Sequence, residues 1–147
     1  MIYRVLRTVL KQKKDPGLYE YLDHHMHLSN NLYNATLFRI RQNFTSRKKE
    51  HPTENELEVQ REIEETLELC PHLKRPKSVL SYKFLERMMR VMDNPDFFAG
   101  LPSQTAEECQ KAAVHDFRSW LASLREYKKH PEKYLGKPKM PHYKKKR

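Results

Sequence analysis

The residues of this chain best suited to chemistry are cations. Lys137, Lys139, Lys144, Lys145, Lys146 and Arg147 crowd around Tyr143 at the C-terminal end of the sequence. Ammonium and guanidinium groups neutralise phosphates without reading sequence, and a tyrosine among them can stack on a base or ribose. A solvated, disordered tail would carry the same lysines. Arg39 and Arg41 join them as candidates for an RNA or phosphodiester backbone, although both also suit the negative end of a helix dipole. Nucleophilic and metal chemistry find less support. His24 and His25 diverge on a helix, and His24 with His27 leaves only two ligands with no carboxylate to complete a set. Cys70 and Cys109 form no CxxC pair and suggest neither zinc nor a disulfide. Eight of the 19 carboxylates fall between Glu50 and Glu68, and no trio has the spacing of a two-metal site. The expectation for this chain is no catalytic residue, no metal ligand and no cofactor.

The charge balance points to a polyanionic partner. Lysine and arginine number 29 against 19 acidic residues in a chain of 147, a net charge of +10. Residues 1–49 carry excess base, Glu50 to Glu68 is acidic, and the sequence after Arg125 is again basic. No segment joins that charge to a long apolar face, and the N-terminus MIYRVLRTVLK lacks a signal peptide's apolar run. A cytoplasmic protein with reduced thiols and no membrane partner is expected. The Asn34-Ala35-Thr36 and Asn43-Phe44-Thr45 glycosylation patterns carry no weight there.

Helices must position these groups, because three glycines leave little room for the turns of an all-β domain. Asp15-Pro16 predicts a helix start, with Leu18, Leu22, Met26, Ser29, Leu32, Tyr33, Leu37 and Ile40 on its buried stripe and an end near Phe44. Thr53 and Glu56 have capping-box spacing and open an acidic second helix to about Leu69, an exposed prop anchored by Leu57, Ile63 and Leu67. Ser81 caps a third, stapled by Leu80 and Leu85, with Phe84, Leu85, Met88, Met89 and Met92 on its apolar side and Asn94-Pro95 at its end. Ser103 is expected to cap a fourth, with Glu107 and Glu108 in its first turn and a stripe from Ala106 through Phe117, Trp120 and Leu121 to Leu124. Residues Ile2 to Leu10 alternate with period two and read as a strand, whose partner would be the stretch from Lys139 to Lys145.

Several of these segments together resemble the TnpB family, also called OrfB, of transposon-encoded RNA-guided nucleases related to type V CRISPR effectors. The stretch from Leu101, LPSQT, leads into an amphipathic helix with Phe117 and Trp120 and then into GKPKMPHYKKK. Asn31-Leu32-Tyr33-Asn34 is similar to a family signature on the first long helix, and Ser81-Tyr82-Lys83 stands where the family often carries a tyrosine. The resemblance covers nearly all of this chain but only the first part of the family's length. It implies a mainly α chain: a small helical bundle, the recognition domain, inserted between strands of an incomplete β-barrel, the wedge domain. Residues 1–11 would be the first barrel strand, 12–132 the helical recognition domain, and 133–147 a basic return segment into the barrel.

The resemblance further implies binding of guide RNA, the guide–target heteroduplex and a short DNA motif beside the target. It places DNA contacts at Tyr82, Ser103, Gln104 and Glu107; simple helix capping by Ser103 and a surface role for Gln104 stand beside that assignment. Family members often have a lysine and a glutamine where this sequence has Ser103 and Glu107. The family's acidic nuclease site and its magnesium lie downstream, so the implied partners are guide RNA, target DNA and a nuclease domain or chain, and this chain reads as a fragment or truncated product. Two other readings stay open: a shortened relative that represses by binding DNA or RNA, and a helical protein–protein adaptor whose acidic second helix docks a basic partner.

Overall fold

The computed structural model describes residues 4–146. Four helices make up the bundle: α1 (Pro16–Ser46), α2 (Glu54–Leu69), α3 (Tyr82–Val91) and α4 (Ser103–Lys129), followed by a single 3-10 turn at Pro131–Lys133. None of the helices is long and apolar enough to cross a membrane among the described residues.

Three of the four helices begin where local chemistry dictates. Asp15 precedes α1 and Pro16 supplies the fixed φ of its first position, although the Asp15 side chain makes no capping bond. Thr53 and Glu56 close a reciprocal capping box at α2. The Ser81 hydroxyl accepts the Phe84 N–H at 3.2 Å, flanked by the fully buried Leu80 and Leu85. At α4 the expected cap is displaced. Pro102 is the N-cap and Ser103 the first helical residue, no side chain caps the helix, and Glu107 and Glu108 lie beyond the first turn. The Pro102 carbonyl accepts the Ala106 N–H at 3.0 Å, which moves the boundary one residue upstream.

The core forms around the C-terminal part of α1. Leu37, Ile40, Val59, Ile63, Leu80, Leu85, Met88 and Phe117 pack into one cluster, and Leu32, Met89 and Ala106 into a smaller neighbour. Phe117 meets Phe44 and Trp120 edge-on, with ring centroids 5.2 Å apart in both cases. Two expectations about burial need correction. The stripe of α1 is buried only from Leu32 onward, and Leu18, Leu22 and Met26 stay exposed. A helix of 31 residues is about 46 Å long at 1.5 Å per residue, and the rest of the bundle does not cover its first turns. On α2 the anchors are Val59 and Ile63, while Leu57 faces solvent.

Helix α2 is also more than a prop. Glu56 is only 1% exposed and accepts hydrogen bonds from the Lys49 ammonium at 2.7 Å, the Thr45 hydroxyl at 2.9 Å and the Thr53 N–H at 3.1 Å. Burial acts to raise its pKa. The bonds from Lys49, Thr53 and Thr45 outweigh that effect and bring it down from 4.5 to about 2.

The β component of the expected fold does not form here: no described residue lies in a strand. Residues 4–10 have no regular structure, and Val5 and Leu6 are each 92% exposed. Ile2 of the expected strand lies outside the described residues. The intended partner, 139–145, is occupied elsewhere. It runs along the bundle, with Pro138, Pro141 and Lys144 offering their carbonyls to Trp120, Arg41 and Asn34. Those bonds recur every three residues, as in a polyproline-like chain, not every two as on a β-strand. Pro141 within the segment and Pro138 just before it have no N–H to give a β-ladder.

This packing makes stability unequal along the chain. Phe117→Ala opens a core cavity and should lower stability by about 3–5 kcal/mol, whereas removing residues 1–11 should leave helicity and thermal midpoint nearly unchanged by circular dichroism. Glu56→Gln should cost about 1–3 kcal/mol at neutral pH. Because the folded carboxyl titrates below its ordinary value, its stabilisation is present above pH 4.5 and is lost as pH falls toward 2. Denaturant titrations across that window should therefore show the wild-type advantage shrinking.

Candidate nucleic-acid interface

Two surfaces gather the residues singled out from sequence. The first is the strap of residues 134–146 laid against α1 and α4. Asn34 holds it most firmly: its amide donates to the Lys144 carbonyl at 2.9 Å, and its carbonyl accepts the Lys144 N–H at 2.7 Å. Arg41 donates to the Pro141 carbonyl at 3.3 Å and sits 4.8 Å over the Tyr143 ring. Trp120 Nε1 donates to the Pro138 carbonyl at 3.1 Å. Lys144 places its ammonium 4.7 Å over the Tyr33 ring. The Tyr33 hydroxyl donates to Asp116 at 2.6 Å, and burial, reinforced by that bond and the Asp116 charge, pushes the phenol well above its usual pKa.

The anchor points are spaced so that Lys137, Lys139, Lys145 and Lys146 fall outside them and remain exposed. Among the described residues none of these four lysines forms an ion pair. The result is a row of unpaired cations on a backbone held to the bundle. Arg147 lies outside the described residues. Arg39 does not join the row. Its guanidinium grips Glu62 through two bonds at 3.0 and 3.1 Å and also donates to the Ala35 carbonyl at 2.8 Å, fixing α2 to α1.

The second surface is a cleft of about 430 Å³ between α3, the loop from 93 to 102 and the start of α4. Tyr82, Ser103 and Glu107, assigned together by the resemblance, all line it; Gln104 is exposed and outside the lining. Glu86 and Arg90 lie on the α3 side, paired at 2.6 Å, and Glu107 pairs with Lys111 at 2.7 Å. Lys111 also reaches to 5.2 Å over the Tyr82 ring. The Tyr82 phenol is raised in pKa by burial first and by the Glu107 and Glu86 charges second.

With its carboxylates paired, the cleft is close to neutral. Its polar offers are the uncapped N-terminus of α4 and Gln110, fully buried, whose Nε2 lies 3.1 Å from the Met89 sulfur and whose Oε1 has no partner. An uncapped helix start favours an anion, and an amide or carboxylate edge can read a base. Lys111, Arg90 and Gln110 were missed from sequence. The four-residue spacing of Glu107 and Lys111, and of Glu86 and Arg90, was the available signal.

The histidines are spread over local interactions. His25 Nδ1 lies 2.9 Å from the Tyr21 carbonyl and His27 Nε2 lies 3.4 Å from Asp23. Both cysteines are free. Asn43 is buried and Asn34 is committed to Lys144, so neither side chain stands free for a glycan.

Asn34→Ala should release the strap without unfolding the bundle. Amide hydrogen exchange at Lys144 is expected to accelerate about tenfold, the value of one or two net hydrogen bonds, while exchange in the α4 core around Phe117 stays slow. Comparison with protein-family models, with curated proteins and with solved structures finds no match to this chain.

Proposed function

We propose that this chain is the nucleic-acid-binding recognition module of an RNA-guided DNA endonuclease of the TnpB kind. In this reading it binds guide RNA, the guide–target heteroduplex and the target-adjacent DNA motif, and does not itself cut. The observation that carries the proposal is the strap, where Lys137, Lys139, Lys145 and Lys146 are exposed on a backbone pinned by Trp120, Arg41 and Asn34. A cationic row held in place meets successive phosphates with less ordering cost than a free tail. The clustering of Tyr82, Ser103 and Glu107 in one cleft supports the DNA-motif part of the reading, since a half-buried aromatic beside an uncapped helix start offers both stacking and a phosphate site. The barrel strands, the metal-bound nuclease site and its magnesium belong, in this proposal, to a partner domain or chain.

A helical adaptor is the second reading, and one feature favours it. The outer side of α2 carries a groove of about 650 Å³ in which Leu57 is exposed among Glu54, Glu64, Glu65 and Glu68, with Arg61 as its one cation, a net acidic surface suited to a basic partner helix.

Binding of labelled RNA across a salt series separates the two. The recognition reading expects log affinity to fall linearly with log salt. Removal of residues 144–147 should weaken binding to every sequence and reduce the slope by about 2, roughly 0.7 for each phosphate no longer neutralised by Lys145, Lys146 and Arg147. An unchanged slope in the shortened chain would show that the strap does not touch the phosphate backbone, and no salt-sensitive binding at all would favour the adaptor.

A further inference from the structure

A third surface concentrates positive charge without drawing on the strap or the cleft. The loop between α2 and α3 contains Lys74, Arg75 and Lys77, and these line one cavity of about 440 Å³ together with Lys83 from α3 and Arg118 from α4. No carboxylate belongs to the lining. Arg75 pairs with Glu64, and among the described residues Lys74, Lys77, Lys83 and Arg118 form no ion pair. Five cations from three separate elements therefore converge on a concave surface with one external counterion. Mutual repulsion opposes such an arrangement unless an anion relieves it.

The loop that presents them is held by its backbone. Asn43 Nδ2 donates to the carbonyls of Lys77 and Ser78 at 3.2 and 3.1 Å, and the Arg47 guanidinium donates to the Pro76 carbonyl at 2.6 Å. Pro71 and Pro76 restrict it further. The cavity also receives the start of α3, since Ser81 lines it. The Ser81 hydroxyl satisfies only the Phe84 N–H there, leaving the positive end of the dipole directed at the same space.

We propose that this cavity is an anion site for closely spaced phosphate groups, separate from the surfaces assigned above. The phosphates come either from consecutive phosphodiesters of one strand or from a free oligophosphate; the recognition chemistry is the same. Lys77, Lys83 and Arg118 are the residues that join loop, α3 and α4 around it.

The test uses the full chain at about 0.15 M salt with two probes, sodium tripolyphosphate and a short 5′-hydroxyl RNA. A pocket variant carries Lys77→Gln, Lys83→Gln and Arg118→Gln. A control with the same charge loss carries Lys13→Gln, Lys128→Gln and Lys129→Gln at positions elsewhere on the surface. The expected result is a loss of about tenfold or more in affinity for at least one probe in the pocket variant, with at most about a twofold loss in the control. Loss for tripolyphosphate identifies a free oligophosphate as a ligand; loss for RNA alone identifies strand phosphates. Equal losses in both variants, or no loss for either probe, overturns the proposal. If circular dichroism shows the triple variant losing helicity, the single variants Lys83→Gln and Arg118→Gln replace it, each expected to lose about twofold to threefold. Shortening the strap reports on the proposed function and leaves this cavity intact, so the two can fail independently.

Discussion

The amide of Asn43 decides how the parts of this molecule meet. It is buried near the end of α1, accepts the Gln60 amide of α2 at 3.1 Å and donates to the carbonyls of Lys77 and Ser78 in the loop before α3. Three elements distant in sequence are thereby fixed by one side chain. Gln60 extends the network to the Ser46 hydroxyl at 2.9 Å, and Glu56 binds Thr45, Lys49 and Thr53 at the same end of the bundle. Most buried polar groups must be satisfied, and here the bonds that satisfy Asn43 set the loop that presents Lys74, Arg75 and Lys77. The apolar core gives cohesion; these amide and carboxylate bonds give register.

A second constraint is the absence of N–H donors at Pro138 and Pro141 in the strap. A chain that cannot complete a β-ladder must place its carbonyls elsewhere, and the side chains of Trp120, Arg41 and Asn34 take them at three-residue intervals. Tyr143 and Lys144 then become part of the attachment through Arg41 and Tyr33. Lys137, Lys139, Lys145 and Lys146, between and beyond the anchors, form no ion pair among the described residues.

Helix α3 separates two chemically unlike surfaces. Tyr82 faces a near-neutral cleft whose carboxylates are matched by Arg90 and Lys111, while its neighbour Lys83 lines a cavity whose charged groups are all cations. Adjacent residues on a helix diverge by about 100°, so one short helix suffices to keep the near-neutral cleft and the cationic cavity apart.

The starts of α1, α2 and α3 were legible in the sequence because their causes are local, whereas the cap expected at Ser103 of α4 was not formed. The Thr53–Glu56 box, the Ser81 cap with its Leu80–Leu85 staple, Pro16 at a first position and the stripe through Ala113 and Phe117 all rest on neighbours a few residues away. The cationic character of the C-terminal segment was legible for the same reason, being composition. Tertiary structure alone decided the rest. Nothing near Glu56 or Asn43 in sequence announces burial, because their partners Thr45, Gln60 and Lys77 arrive through packing. Period-two alternation at residues 2–10 suggested a strand, yet a strand exists only if another backbone pairs with it. The segment meant to pair was already bound to α1 and α4. The cavity around Lys83 and Arg118 was invisible for a like reason: its cations are spread from 74 to 118, and only the fold makes them neighbours.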